Sequence, residues 1–167
     1  MLIANKCLRK LFNGGWEMVK NYLKLEFPSS SQNVALARSM AATFAAQLDF
    51  TLAEIEEIRV AISEAVSNCV IHAYPHEMGL IKMELSLEAE DILVMKVQDF
   101  GVGIVDIDRA KQATYSSQPE RMGLGLVFME SFMDQMELKS KLLEGTTVVM
   151  KKQPERGFAN AELSRSS

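Results

Sequence analysis

The sequence predicts an α+β fold, a mostly antiparallel sheet covered on one face by helices. Two observations carry that expectation: strands come in hairpins, and helices lie between those hairpins in the order β-α-α-β-β-loop-α-β-β. The first strand spans 22–27, where Leu23, Leu25 and Phe27 alternate with Lys24 and Glu26. Pro28 and the three serines after it stop that strand and offer a helix cap. Val34, Ala37, Ala41, Phe44, Ala45 and Leu48 then recur on one helical face, which ends near Asp49. Thr51 and Glu54 form a capping box that opens the strongest helix, with Ile58, Ile62, Ala65, Val66 and Cys69 on its buried side.

Pro75 and Gly79 break the chain after that helix. Ile81, Met83, Leu85 and Leu87 alternate with charged or polar residues, and a turn at 89–91 joins this strand to another over 92–98. A turn-rich stretch over 99–122 precedes a helix over 123–136. Strands over 137–142 and 146–152 close the order, and a polar, disordered tail is expected over 154–167.

Composition narrows the function. The chain has 167 residues, 48% hydrophobic and 24% charged, with a formal net charge of −4. Such a chain is not disordered throughout, and its length fits one domain. The acidic balance argues against direct nucleic-acid binding, which draws on net positive charge. Two cysteines, Cys7 and Cys69, make neither a disulfide framework nor a zinc site. Apolar runs such as 92–95 fall far short of the roughly 20 residues a membrane helix needs. No signal peptide is read at the N-terminus, so a cytoplasmic protein is expected.

Four local patterns bear on chemistry. Glu64, Asn68 and His72 follow at i, i+4 and i+8 on a helix face. A carboxamide there offers a hard oxygen to Mg²⁺, and the carboxylate one turn earlier can accept a proton or orient a hydroxyl. Asp99-Phe100-Gly101-Val102-Gly103 follows a strand, placing a carboxylate beside glycines that let a base approach the backbone. The Asp-Phe-Gly trio also occurs in eukaryotic-type protein kinases, but their other motifs are missing from this short chain. Gly123 and Gly125 open an apolar helix, whose N-terminus suits an anion. Gly145-Thr146-Thr147 begins the last strand. Each pattern alone has an ordinary structural explanation; their order is the demanding feature.

That order resembles the Bergerat-fold ATP-binding domains of gyrase-type ATPases, heat-shock chaperones, histidine kinases and mismatch-repair proteins. Residues 63–68 (Ser-Glu-Ala-Val-Ser-Asn), His72-Ala73-Tyr74 and residues 129–134 resemble more closely the small bacterial anti-sigma factor serine kinases, in particular their sporulation branch. The likeness covers 20–152. It implies one mixed sheet with helices on one side, in a cytosolic homodimer that uses ATP and Mg²⁺. It also implies two partners: a sigma factor that is sequestered, and an anti-anti-sigma protein that is phosphorylated on serine. By this resemblance Glu64 is the catalytic carboxylate and Asn68 the magnesium ligand. Asp99 reads adenine, with Gly101 and Gly103 beside the base. Gly123 and Gly125 lie at the phosphates, Thr146 or Thr147 lies near the adenine, and Arg38 faces a partner.

The stretch 104–122 then corresponds to an ATP lid, and Arg121-Met122 departs from the family's more polar lead-in. Alternative readings are a switch kinase for a general-stress sigma factor, a non-catalytic ATP-dependent sigma-binding module, or a detached histidine-kinase catalytic domain. The last lacks a helix pair with a phospho-acceptor histidine. Gly14-Gly15-Trp16-Glu17 must be encoded by a purine-rich run, like a ribosome-binding site ahead of Met18. Residues 1–17 are therefore expected to be an annotation extension or a disordered tail, with the domain proper over 18–153.

Overall fold

The computed structural model describes residues 8–12, 15–110 and 124–155. Around the alternating segment at Leu23, the first predicted strand is the middle of a longer one, β2 (Gly15–Pro28), which pairs with β1 (Leu8–Phe12) from Leu8↔Val19 to Phe12↔Gly15. Part of the stretch expected to be a tail thus has strand backbone. The remaining strands are β3 (Leu80–Glu88), β4 (Leu93–Asp99), β5 (Gln135–Lys141) and β6 (Gly145–Lys152). They form one six-stranded sheet in the order β1-β2-β3-β4-β6-β5. Every ladder is antiparallel, so a sheet expected to be mostly antiparallel is wholly so among the described residues.

Helices α1 (Gln32–Ala45), α2 (Leu52–Asn68) and α4 (Gly125–Phe132) pack on one face of that sheet, and a short α3 (Ile107–Ala110) follows β4. The strand alternation explains the core. Ile81, Met83, Leu85 and Leu87 of β3 are at most 3% exposed and meet Ile58, Ile62 and Val66 of α2 in one apolar cluster. Met95, Met129 and Met150 join it, unbranched side chains that fill the irregular space between α4 and the sheet. The opposite face carries cross-strand ion pairs, Lys82–Glu26 at 2.9 Å and Lys24–Glu84 at 3.4 Å.

Helix ends show where local signals suffice. At Thr51 the capping box forms as the sequence predicts: the Glu54 amide donates to the Thr51 hydroxyl, and the Thr51 amide donates to the Glu54 carboxylate at 2.7 Å. Ser31 stands at the start of α1 but makes no side-chain cap bond; Asn33 instead donates to the Pro28 carbonyl at 2.9 Å. The last helix is shorter than the sequence predicts. Met129, Met133 and Met136 keep helical spacing, yet Met133 is extended, and Met136 pairs with Met150 in the β5–β6 ladder. Strand pairing overrides the local period there.

No helix among the described residues is long and apolar enough to cross a membrane.

Candidate nucleotide site

The site lies along the second half of α2. Glu64 and Asn68 are both half-buried, one turn apart. The helix does not continue regularly to His72. A π-helical turn, Cys69–Ala73, takes over after Asn68. Such turns admit an extra residue per turn and rotate whatever follows. His72 is exposed in this turn, out of the helical line through Glu64 and Asn68.

Glu64 reaches α4. A Cβ built on Gly125 would lie 2.6 Å from the Glu64 Oε2, so the absence of a side chain at Gly125 is what gives the carboxylate its room. Gly125 is the first residue of α4, where backbone N–H groups lack helical acceptors and favour negative charge. Gly123 lies outside the described residues, as do 111–122 of the expected lid.

Asp99 ends β4 and is 3% exposed. Its Oδ1 accepts from the Gly101 amide at 3.0 Å and from the Thr146 amide at 3.2 Å. The Cys69 thiol also faces this carboxylate. Burial pushes that thiol well above its ordinary range, and the charge and hydrogen bond of Asp99 push it further. It therefore stays protonated, and its one S–H donates to the Ala65 carbonyl at 3.3 Å. The loop after Asp99 is pinned to the π-turn, because the Val102 amide donates to the Ala73 carbonyl at 2.9 Å. Gly101 is needed at this approach: a Cβ there would lie 2.0 Å from the Ala73 oxygen. Gly103 takes a φ of +72°, which favours glycine.

Thr146 and Thr147 separate. Besides its amide on Asp99, Thr146 brings its hydroxyl within 2.9 Å of the Ser140 hydroxyl, which accepts from the Ile104 amide at 2.7 Å. Thr147 pairs with Gln98 and Lys139, and strand alternation turns it to the sheet face away from the helices. Of the two, Thr146 is the one that contacts Asp99. Arg38 is exposed on α1, remote in sequence and element from these contacts.

The structure also brings in residues that the motif reading left without a role. In the sequence Cys69 reads as a core residue and Tyr74 as part of a motif. Ser140 gives no sequence signal beyond its place in a strand. An open cleft of about 380 Å³ lies on the outer flank of the Asp99 loop, lined by Tyr74, His76, Phe100 and Leu143 among others. Its lining includes Gly101 but not Glu64, Asn68 or Asp99. Among the described residues no three His, Cys, Asp or Glu side chains gather as a metal cluster. Mg²⁺ bound with a nucleotide asks for less, since phosphate and water complete its shell around one or two protein oxygens.

Comparison with known proteins accounts for this arrangement. The histidine kinase-like ATPase domain family matches residues 27–152. An anti-sigma F factor from Clostridium kluyveri is 43% identical over 137 residues, covering 81% of this chain and 96% of that protein. Another from Pasteuria penetrans is 46% identical over 136 residues, covering 80% and 91%. This chain belongs to the anti-sigma F factor family. It carries that family's histidine kinase-like ATPase domain, an ATP-binding, kinase-like unit.

Solved structures support the fold at lower identity. The RsbU and RsbW domains of a Mycobacterium tuberculosis protein match with a TM-score of 0.59 at 20% identity, covering 80% of this chain and 32% of that one. A blue-light activated histidine kinase of Erythrobacter litoralis matches with a TM-score of 0.53 at 15% identity, covering 77% and 42%. Relatives in the anti-sigma F factor family match almost end to end, so the domain rather than a fragment of it is shared.

Proposed function

We propose that the chain is a partner-switching serine kinase that binds and inhibits a sporulation sigma factor. It phosphorylates a serine of the anti-anti-sigma protein that opposes it, using Mg-ATP. The observation that carries this reading is that one helix serves two sites. Through Cys69 its end touches the buried Asp99, and through Glu64 it reaches the N-terminus of α4. A nucleotide lying along α2 would meet a base reader at one end and a charge-handling pair at the other.

The donor count around Asp99 suits an adenine. A carboxylate offers roughly four acceptor positions. Two amides donate to the Asp99 Oδ1, which leaves Oδ2 to accept from an exocyclic amino group. Asn68 supplies an oxygen to Mg²⁺, and Gly125 lets the phosphates approach the first amides of α4. Bound Mg-ATP supplies the phosphoryl group and neutralises charge that builds on it. Glu64 would orient the partner's serine hydroxyl and take its proton as that oxygen bonds the γ-phosphorus and the bond to the β-phosphate breaks, releasing ADP. Gly101, Gly103 and Thr146 shape the base end. Gly123 is assigned to the phosphates by sequence pattern, and Arg38, exposed on α1, to the partner surface.

The working unit in this proposal is residues 18–153, acting in the cytoplasm as a homodimer. Incubation with Mg-ATP and an anti-anti-sigma protein should yield phosphoserine on that partner. Bound ATP with no phosphoserine would sink the kinase reading. Capture of a sigma factor in the presence of ATP, identified by mass, tests the other half; recovery of a general-stress sigma factor would redirect it.

A further inference from the structure

We propose that Tyr74 is a positioning residue for base recognition: its hydroxyl splits the β3–β4 ladder one step beyond Asp99 and so fixes the turn that aims the carboxylate. The proposal rests on the reading of Asp99 as the base-recognising residue.

The ladder gives the geometry. β3 and β4 pair antiparallel with Ile81 opposite Asp99 at the last registered step. Continued by one residue, that register puts Leu80 opposite Phe100. The bond that would close there runs from the Phe100 amide to the Leu80 carbonyl. Instead, the Phe100 amide donates to the Tyr74 hydroxyl at 2.8 Å, and that hydroxyl donates to the Leu80 carbonyl at 2.6 Å. A side-chain O–H is inserted into the ladder. Both backbone groups remain satisfied, so the strands part without leaving an orphaned polar group.

Several contacts are arranged around this wedge. Gly79 makes room for it, since a Cβ there would lie 2.0 Å from the Tyr74 ring. The π-turn just before Tyr74 sets the ring's direction and frees the Ala73 carbonyl to hold Val102. Phe100 is held from outside by the Lys82 ammonium, 5.5 Å from its ring centre. Three successive amides then have fixed and different acceptors: Phe100 on Tyr74, Gly101 on Asp99, Val102 on Ala73. The middle bond is the one that orients Asp99, and it lies between two anchors supplied by Ala73 and Tyr74. Burial raises the Tyr74 hydroxyl above the usual phenol range, so it remains a donor to Leu80 across neutral pH.

Loss of the hydroxyl should therefore blur base selection rather than weaken every contact alike. The test compares ADP with inosine diphosphate, which lacks the exocyclic amino group, by calorimetry on the full chain. Wild type is expected to prefer ADP. In Tyr74→Phe that preference should fall about fivefold, the scale of one hydrogen bond, with inosine diphosphate affinity nearly unchanged. Gly79→Ala, which crowds the ring, should produce the same loss of preference. A wild-type protein that binds both nucleotides equally would overturn the reading of Asp99 itself. A Tyr74→Phe protein that keeps the wild-type preference would overturn only the role of Tyr74. Amide exchange on nucleotide-free wild type needs no variant: Phe100 should be protected, and free exchange there would refute the wedge.

Discussion

The two ends of α2 each hold a carboxylate that the fold almost entirely buries, and they differ in how it is satisfied. Glu54, 5% exposed, belongs to the first turn. It accepts from the Thr51 amide and hydroxyl at 2.7 and 2.8 Å, and from the Glu155 amide at 2.7 Å. Burial alone would raise its pKa. The Glu155 and Thr51 hydrogen bonds and the nearby Lys152 charge outweigh burial and hold the carboxyl below its ordinary value. A negative charge also suits a helix N-terminus. Asp99 lies against the other end of the helix, where the dipole disfavours an anion. Its donors are longer amide contacts at 3.0 and 3.2 Å. One carboxylate takes three short hydrogen bonds over both oxygens, the other two longer ones on a single oxygen, and the base-recognition proposal rests on that difference. Burial by itself therefore does not separate the two acids, whereas the number and length of their hydrogen bonds do.

Several substitutions would break or sharpen that contrast. The largest effect is expected from Glu64→Ala, which should cut phosphoryl transfer by about 10²–10⁴-fold, the usual worth of a general base, while ADP still binds. Phosphoserine yield and ADP calorimetry on the same preparation measure both. Next comes Asp99→Asn, whose amide group turns a donor toward donors. ADP affinity should fall by roughly 10- to 100-fold, the range for a hydrogen bond to a charged group, with little change in thermal stability.

At the other end of α2 the pattern should reverse. Glu54→Ala removes the carboxylate half of the capping box and the acceptor of Glu155, and should cost about 1–3 kcal/mol of stability in urea unfolding while leaving ADP affinity intact. Comparable loss of nucleotide binding in that variant would erase the distinction between the two ends. The smallest effect is in pH. Because the folded Glu54 carboxyl is held below its ordinary value of 4.5, its contribution is complete above that pH and is lost as pH falls through the lowered folded value. The stability gap between wild type and Glu54→Ala should accordingly narrow in acid.

These two ends were also unequally legible. The capping box is local, since Thr51 and Glu54 recognise each other within one turn, and it forms as read. Strand alternation in β3 likewise fixes its buried face, because period two has only two phases. Asp99 and its glycines could be placed at a strand end, but not the partners that hold them. Gly101 touches a carbonyl from a π-turn, and Thr146 reaches Asp99 across 47 positions of chain. That Thr146 and Thr147 lie on opposite faces of the sheet, with Thr146 on the side of Asp99, follows from the β4–β6 register.

The sequence by itself determined the fold class, the order of the main elements and the residues that face the core, because periodicity and caps act within a few residues. It also placed Glu64 and Asn68 on one helix, one turn apart. Tertiary structure alone decided where α4 ends, where the π-turn interrupts the line to His72, and which atoms surround Asp99. Those outcomes depend on backbone groups brought together from distant segments. Tyr74 is the clearest case: its hydroxyl has meaning only once β3 and β4 are paired and their next bond is left for it to fill.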